Sequence, residues 1–212
     1  IIQSGCHGSF VGRLDLAVEG RGADAAVRVE QHELVVMGGA VGRDAEMEAL
    51  VDGVYAPHRE RLSEVVGRTE TVLHRYASLE APMDTLLLDA VAEAAGRPVA
   101  FSNGWRYGAP VPVGEVTEND LWNIIPPNPP VSVCEMTGRE MWAMMEANLQ
   151  RTFARNPYEQ MGGYVKRCRG VNVYAKLENP EGHRIQSFMV EGRALERDRV
   201  YPVAFVTAQG VP

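Results

Sequence analysis

From about residue 80 the apolar residues change period again and again, and this alternation constrains the fold more than any other feature. Pro82 opens a segment that sets Leu86, Leu87, Ala90, Val91 and Ala94 on one side of a helix, with Gly96 after its end. Pro98-Val99-Ala100-Phe101 then reads as a strand, Thr117-Glu118-Asn119-Asp120 as a helix start, and 131–136 as another strand. Thr137-Gly138-Arg139-Glu140 fits a capping box, in which the Thr hydroxyl accepts from the third helical N–H and the Glu reaches back to the cap. The helix that follows lines up Met141, Met144, Met145 and Leu149 as a core stripe. Strands at 171–174 and 185–190 flank the turn Asn179-Pro180-Glu181-Gly182, and 200–206 is a last apolar strand. Helices interleaved with short strands exclude an all-helical or all-strand domain. They predict a mixed α/β (α+β) domain over 78–212.

The chain ahead of it has a different character. Residues 1–43 read as short strands around glycine-rich turns, too little chain to close a core alone. Gly38-Gly39-Ala40-Val41-Gly42 lacks the full dinucleotide pattern and reads as a turn before a helix. Residues 44–77 predict a linker helix and a connecting strand. Asp44 caps a helix with Met47, Leu50, Val51, Val54, His58, Leu62 and Val65 on its apolar face; Pro57 must bend or split it. Gly67 to Leu73 reads as the strand. The chain opens on Ile1-Ile2-Gln3 and stops at Pro212 just after a strand, so both ends are expected to continue into a longer protein.

A formal net charge of −7 argues against a nucleic-acid partner, which needs a basic surface to displace counterions. No apolar run approaches twenty residues, so no membrane span is expected. Cys6, Cys134 and Cys168 are far apart and form no Cys-x-x-Cys pair; Cys134, in Val131-Ser132-Val133-Cys134, reads as a small buried hydrophobe. His7, His32, His58, His74 and His183 are isolated, without metal-ligand spacing.

Two loops could carry chemistry. In Ser102-Asn103-Gly104-Trp105-Arg106-Tyr107-Gly108, just past a strand end, the glycines allow close backbone approach. Arg106 offers a fork for an oxyanion, and Trp105 and Tyr107 offer stacking faces. The same residues also suit a turn that caps the core. Gly162-Gly163-Tyr164-Val165-Lys166-Arg167-Cys168-Arg169-Gly170 places three cations in four residues behind an aromatic. That suits a small anion, and equally a solvated charge run.

At these residues the chain resembles a known family. Asn103-Gly104-Trp105-Arg106 with Pro112-Val113-Gly114-Glu115-Val116-Thr117, then Pro126-Pro127-Asn128 with 131–136 and Thr137-Gly138, resemble the signature of the 5′-nucleotidase C-terminal domain. Residues 1–16 resemble the last strands of the metallophosphoesterase domain that precedes it. Val65 to Thr71 and Asn156-Pro157-Tyr158-Glu159-Gln160-Met161-Gly162-Gly163 are similar to the thiosulfohydrolase (SoxB) branch. Two departures lean the same way: Gly-Trp-Arg replaces the usual Gly-Gly-x-x-Arg, and the Phe of Pro-Phe-x-Asn is absent.

The resemblance implies a 5′-nucleotidase C-terminal-like fold preceded by a β remnant of a metallophosphoesterase domain and a linker helix. It implies a substrate-binding part of a two-metal, extracytoplasmic or periplasmic hydrolase. The substrate it implies is a small anion: a nucleotide, a phosphoester or a sulfur-linked compound. Two divalent metal ions are expected in an N-terminal domain, and no cofactor in this chain, which alone is expected to be inactive. The implied substrate-binding residues are Asn103, Gly104, Trp105, Arg106, Tyr107, Asn128, Tyr164 and Arg167. Among them Arg106 and Arg167 hold the anion, and Tyr164 lies near the base-stacking position. A thiosulfohydrolase part and a non-catalytic anion- or nucleotide-binding module are the alternatives.

Overall fold

The structure is a computed structural model; it describes residues 4–5, 8–103, 109–124, 126–162 and 164–206. The chain divides into two compact units, 1–61 and 62–212.

In the first unit β1 (Phe10–Glu19) pairs antiparallel with β2 (Ala26–Val36), from Phe10↔Val36 to Glu19↔Ala26, with a bulge at Asp15/Leu16. The two separate strands expected within 25–37 are one. Glu30-Gln31-His32 does not interrupt it, because neither face of β2 is buried and no alternation is enforced. Asp44 caps α1 (Ala45–Tyr55), its carboxylate accepting from Met47 N–H at 2.8 Å. The helix stops at Tyr55, and Pro57 sits in a tight turn before the short α2 (Arg59–Leu62), the split that its ring predicts. Met47, Leu50, Val51 and Val54 on α1 are exposed, as are Val11, Val18, Val29 and Val36 on the hairpin.

The second unit begins with β3 (Val65–Thr69), two residues earlier than expected, followed by α3 (Pro82–Ala95), β4 (Val99–Ser102), β5 (Gly114–Thr117) and α4 (Glu118–Ile124). Next come β6 (Ser132–Thr137), α5 (Gly138–Phe153), β7 (Arg167–Arg169) and β8 (Val171–Ala175). The unit closes with β9 (Ile185–Val190), β10 (Arg193–Ala194) and β11 (Val200–Val206). A four-stranded sheet has the order β6-β11-β4-β7, with β11 and β4 parallel. Phe101, Val99 and Val203 face one side, against Met141, Met145 and Leu149 of α5 and Phe188 and Val190 of the β8-β9-β10 meander. Ala100, Ala204 and Val206 face the other, against Leu88, Val91 and Ala92 of α3. Both faces are covered, so β4 and β11 read as continuous apolar runs. β3 pairs antiparallel with β5, and Leu73, outside the strand it was expected to end, bridges Val111.

Two further expectations fail. β6 is an edge strand, and Cys134 on it is exposed, not buried. The apolar face of α3 is rotated: Leu86, Ala90 and Ala94 are exposed, while Asp84, Leu88, Val91 and Ala92 are buried, a spacing of four, seven and eight. The capping box is present, with Glu140 N–H donating to Thr137 Oγ1 at 3.3 Å and Thr137 N–H to Glu140 Oε2 at 2.7 Å. Just inside it, a Cβ on Gly138 would lie 2.3 Å from Glu196 O. Gly138→Ala is therefore expected to destabilise by about 1–3 kcal/mol, against the helix propensity that Ala gains. A shift of the urea midpoint to higher concentration would contradict this.

Candidate functional site

The sheet positions the site through the end of β4. Ser102 is buried at the last paired position, opposite Arg167 on β7. Its hydroxyl donates to Asn103 O at 3.0 Å, where the chain leaves the sheet. Of the residues expected to bind substrate, Asn103 is half-buried at this point. Gly104, Trp105, Arg106 and Tyr107 lie outside the described residues. Asn128 is exposed beyond α4, at φ +40°, a backbone region that Asn tolerates better than most residues.

Arg167 is not turned to solvent. Its side chain is 2 % exposed, and Nε donates to Asp84 Oδ2 at 2.7 Å. Nη1 donates to Ser78 O and Val165 O, both at 2.9 Å, and Nη2 to Ala77 O. Asp84 has a second buried partner: Arg75 Nε donates to its Oδ1 at 2.7 Å. Arg75 also donates through Nη1 to Ile124 O at 3.2 Å and through Nη2 to Asn103 O at 3.1 Å. Asp84 lies in the first turn of α3, where the helix dipole adds to the stabilisation of its charge. Neither Asp84 nor Arg75 was singled out from the sequence. An acid in a first turn reads as a solvated dipole partner, and the only pointer to burial was its spacing from Leu88, Val91 and Ala92.

The segment after α5 is fastened separately. Tyr164 O accepts from Thr152 Oγ1 at 3.1 Å, Val165 N–H donates to Ser78 O at 2.9 Å, and Lys166 N–H donates to Asn148 Oδ1 at 2.7 Å. Two of the three loop cations have carboxylate partners: Arg167 with Asp84, and Arg169 with Asp89 at 2.5 Å. Lys166 forms no ion pair with any described residue. Burial pushes its ammonium pKa down, and Arg151 beside it adds to the shift. Burial, then Glu80, pushes the Cys168 thiol up to about 11, which leaves it protonated and unreactive at neutral pH.

A groove of about 320 Å³ runs along Arg167, Arg169 and α3, but Glu80, Asp89 and Glu191 also line it, a poor setting for an anion. Among the described residues no three His, Cys, Asp or Glu side chains come together to hold a metal ion.

Helices on both faces of a short mixed sheet define a layered α/β domain. The chain belongs to the 5′-nucleotidase C-terminal domain family, whose profile matches residues 65–207. It is 25% identical to the trifunctional nucleotide phosphoesterase protein YfkN of Bacillus subtilis (strain 168), over 99% of this chain and 15% of that protein. It is 24% identical to an apyrase of Anopheles gambiae, over 96% of this chain and 36% of the relative. Among solved structures it is similar to the sulfate thiohydrolase SoxB of Thermus thermophilus, with a TM-score of 0.80 at 22% identity, over 93% of this chain and 36% of that one. A 5′-nucleotidase precursor, also from Thermus thermophilus, has a TM-score of 0.77 at 20% identity, over 93% of this chain and 40% of that one. The chain thus spans well under half of each of these proteins. The structural likenesses show a shared fold. Among the described residues no helix is long and apolar enough to cross a membrane.

Proposed function

We propose that this chain is the substrate-binding part of a hydrolase that acts on nucleotides or related phosphoesters. The observation that carries the reading is convergence. The Asn103 loop, the chain leaving α4 toward Asn128, and the segment at 164–165 are each hydrogen-bonded to one buried Arg75–Asp84–Arg167 cluster. The family match and the nucleotide-named relatives supply the substrate class. Asn103, Gly104, Trp105, Arg106, Tyr107, Asn128 and Tyr164 are assigned to the substrate, with Arg106 as the anion fork. Arg167 supports the site by fixing the loop.

The exposed apolar residues of the hairpin and of α1 support a second part of the reading: a metallophosphoesterase domain, carrying the metals, packs on them. An extracytoplasmic location is part of the same proposal, supported by the Thermus relative described as a precursor.

NMR titrations with AMP, phosphate and thiosulfate test the assignment. One charge-assisted bond is about 1.5–3 kcal/mol, so Arg106→Ala is expected to weaken AMP binding about ten- to hundredfold. AMP should bind above phosphate. Equal responses to AMP and thiosulfate would favour the thiosulfohydrolase reading. No effect of Arg106→Ala on any ligand would remove the site.

A further inference from the structure

The buried cluster reaches further than one loop. Arg75, Asp84 and Arg167 are each 2 % exposed, so none of them meets a ligand in solvent. Yet every N–H of the two guanidinium groups that makes a hydrogen bond here, apart from the two on Asp84, goes to a main-chain carbonyl, and those carbonyls lie at the roots of separate segments. Arg75 holds Asn103 O, the root of the Asn-Gly-Trp-Arg loop, and Ile124 O, two residues before Pro126-Pro127-Asn128. Arg167 holds Val165 O, next to Tyr164, and Ala77 O and Ser78 O on the chain leading into α3. Ser78 O also accepts Val165 N–H, so the 164–165 segment is clamped twice.

The two arginine branches meet only at the Asp84 carboxylate, which gives one oxygen to each. Each planar guanidinium is held by Nε on Asp84 and by both Nη atoms on carbonyls, so its plane is fixed, and moving one guanidinium pulls on the carboxylate that the other is bound to. Two like charges so close, in a dry interior, also cannot keep their places once the anion between them is altered.

We infer that Arg75, Asp84 and Arg167 act as one positioning unit, which sets the Asn103, Asn128 and Tyr164 loops in register for an anionic substrate, so that ligand affinity depends on Asp84 although Asp84 never touches the ligand. The inference rests on the substrate-loop reading above. It adds that the three loops are coupled rather than independently folded. Arg75 and Asp84 are positioning residues, not catalytic ones.

The test uses the whole 212-residue chain, labelled with ¹⁵N, with AMP as the probe. Arg75→Lys keeps a cation beside Asp84 but loses the fork to Asn103 and Ile124. Its expected signature is displacement of the Asn103 and Ile124 amide signals together with that of Val165, on the opposite branch. Signals of Val173 and Phe188, in the β8–β9 meander, should stay in place. Asp84→Asn, compared under conditions where near-ultraviolet circular dichroism shows a folded protein, should raise the AMP dissociation constant about tenfold. If Asp84→Asn does not fold, Arg75→Lys alone decides the matter.

Displacement confined to Asn103 and Ile124, with Val165 unmoved, would show three independent loops and overturn the inference. So would a folded Asp84→Asn protein that binds AMP as the parent does. Arg106→Ala separates the two levels. If it abolishes AMP binding while Arg75→Lys and Asp84→Asn leave it intact, only the coupling is wrong. If Arg106→Ala has no effect either, the substrate-loop reading itself falls.

Discussion

Asp84→Ala is expected to cost about 3–5 kcal/mol of folding stability, because it leaves two guanidinium charges buried without their shared counter-ion. That is a large part of the roughly 5–15 kcal/mol that holds an ordinary domain folded. Urea unfolding followed by tryptophan fluorescence should show a much lower midpoint. The companion variant makes the cause visible. Arg75→Met/Asp84→Leu/Arg167→Met removes both the charges and their counter-ion, so it should recover much of what the single change loses, as apolar replacements of buried ion clusters do. It should still fail to order the loops, since the carbonyls of Asn103, Ile124 and Val165 lose their donors. A single mutant as stable as the parent would mean that the two arginines do not depend on Asp84.

The second large effect is expected at Glu146, on the buried side of α5. Its Oε1 accepts Ile185 N–H at 2.8 Å and its Oε2 accepts Arg184 N–H at 3.2 Å, where the chain enters β9. Two buried donors without acceptors cost about 1–3 kcal/mol each, so Glu146→Ala should destabilise by about 2–6 kcal/mol. Glu146→Gln keeps one acceptor and should lose about half as much. The arginine next to this contact is also tied inward, Arg184 Nη1 donating to Leu149 O at 2.7 Å, so little freedom remains to repair the loss. Equal midpoints for the Ala and Gln variants would show that the carboxylate is not the acceptor that matters.

Local chemistry makes most elements readable from the chain alone. Pro82 and Gly96 bracket α3, Thr137 and Glu140 start α5, Asp44 starts α1, and Pro57 ends its first stretch, each because the determining contact lies within four residues along the chain. The stripe of Met141, Met145 and Leu149 is core for the same reason: its period is written in the sequence. The family signature likewise lay in short runs that a single chain displays, from Asn103-Gly104-Trp105-Arg106 to Thr137-Gly138.

Decisions that depended on distant partners were not readable. Leu86, Leu87, Leu88 and the alanines after them allow two buried faces on α3; the two arginines that draw Asp84 inward select the one that carries Leu88, Val91 and Ala92. Arg167 lies 83 residues from Asp84, and nothing beside it in the chain distinguishes a buried pin from the other two cations of the loop, Lys166 and Arg169. Cys134 sits in an apolar run that fits a central strand, and only the sheet order, with β6 at the edge, exposes it. By itself the sequence determined the elements, their caps and the family, because those are set by neighbours along the chain. The tertiary structure alone decided which side of a helix is core and which cation is spent inside, because burial and ion pairing are set by neighbours in space.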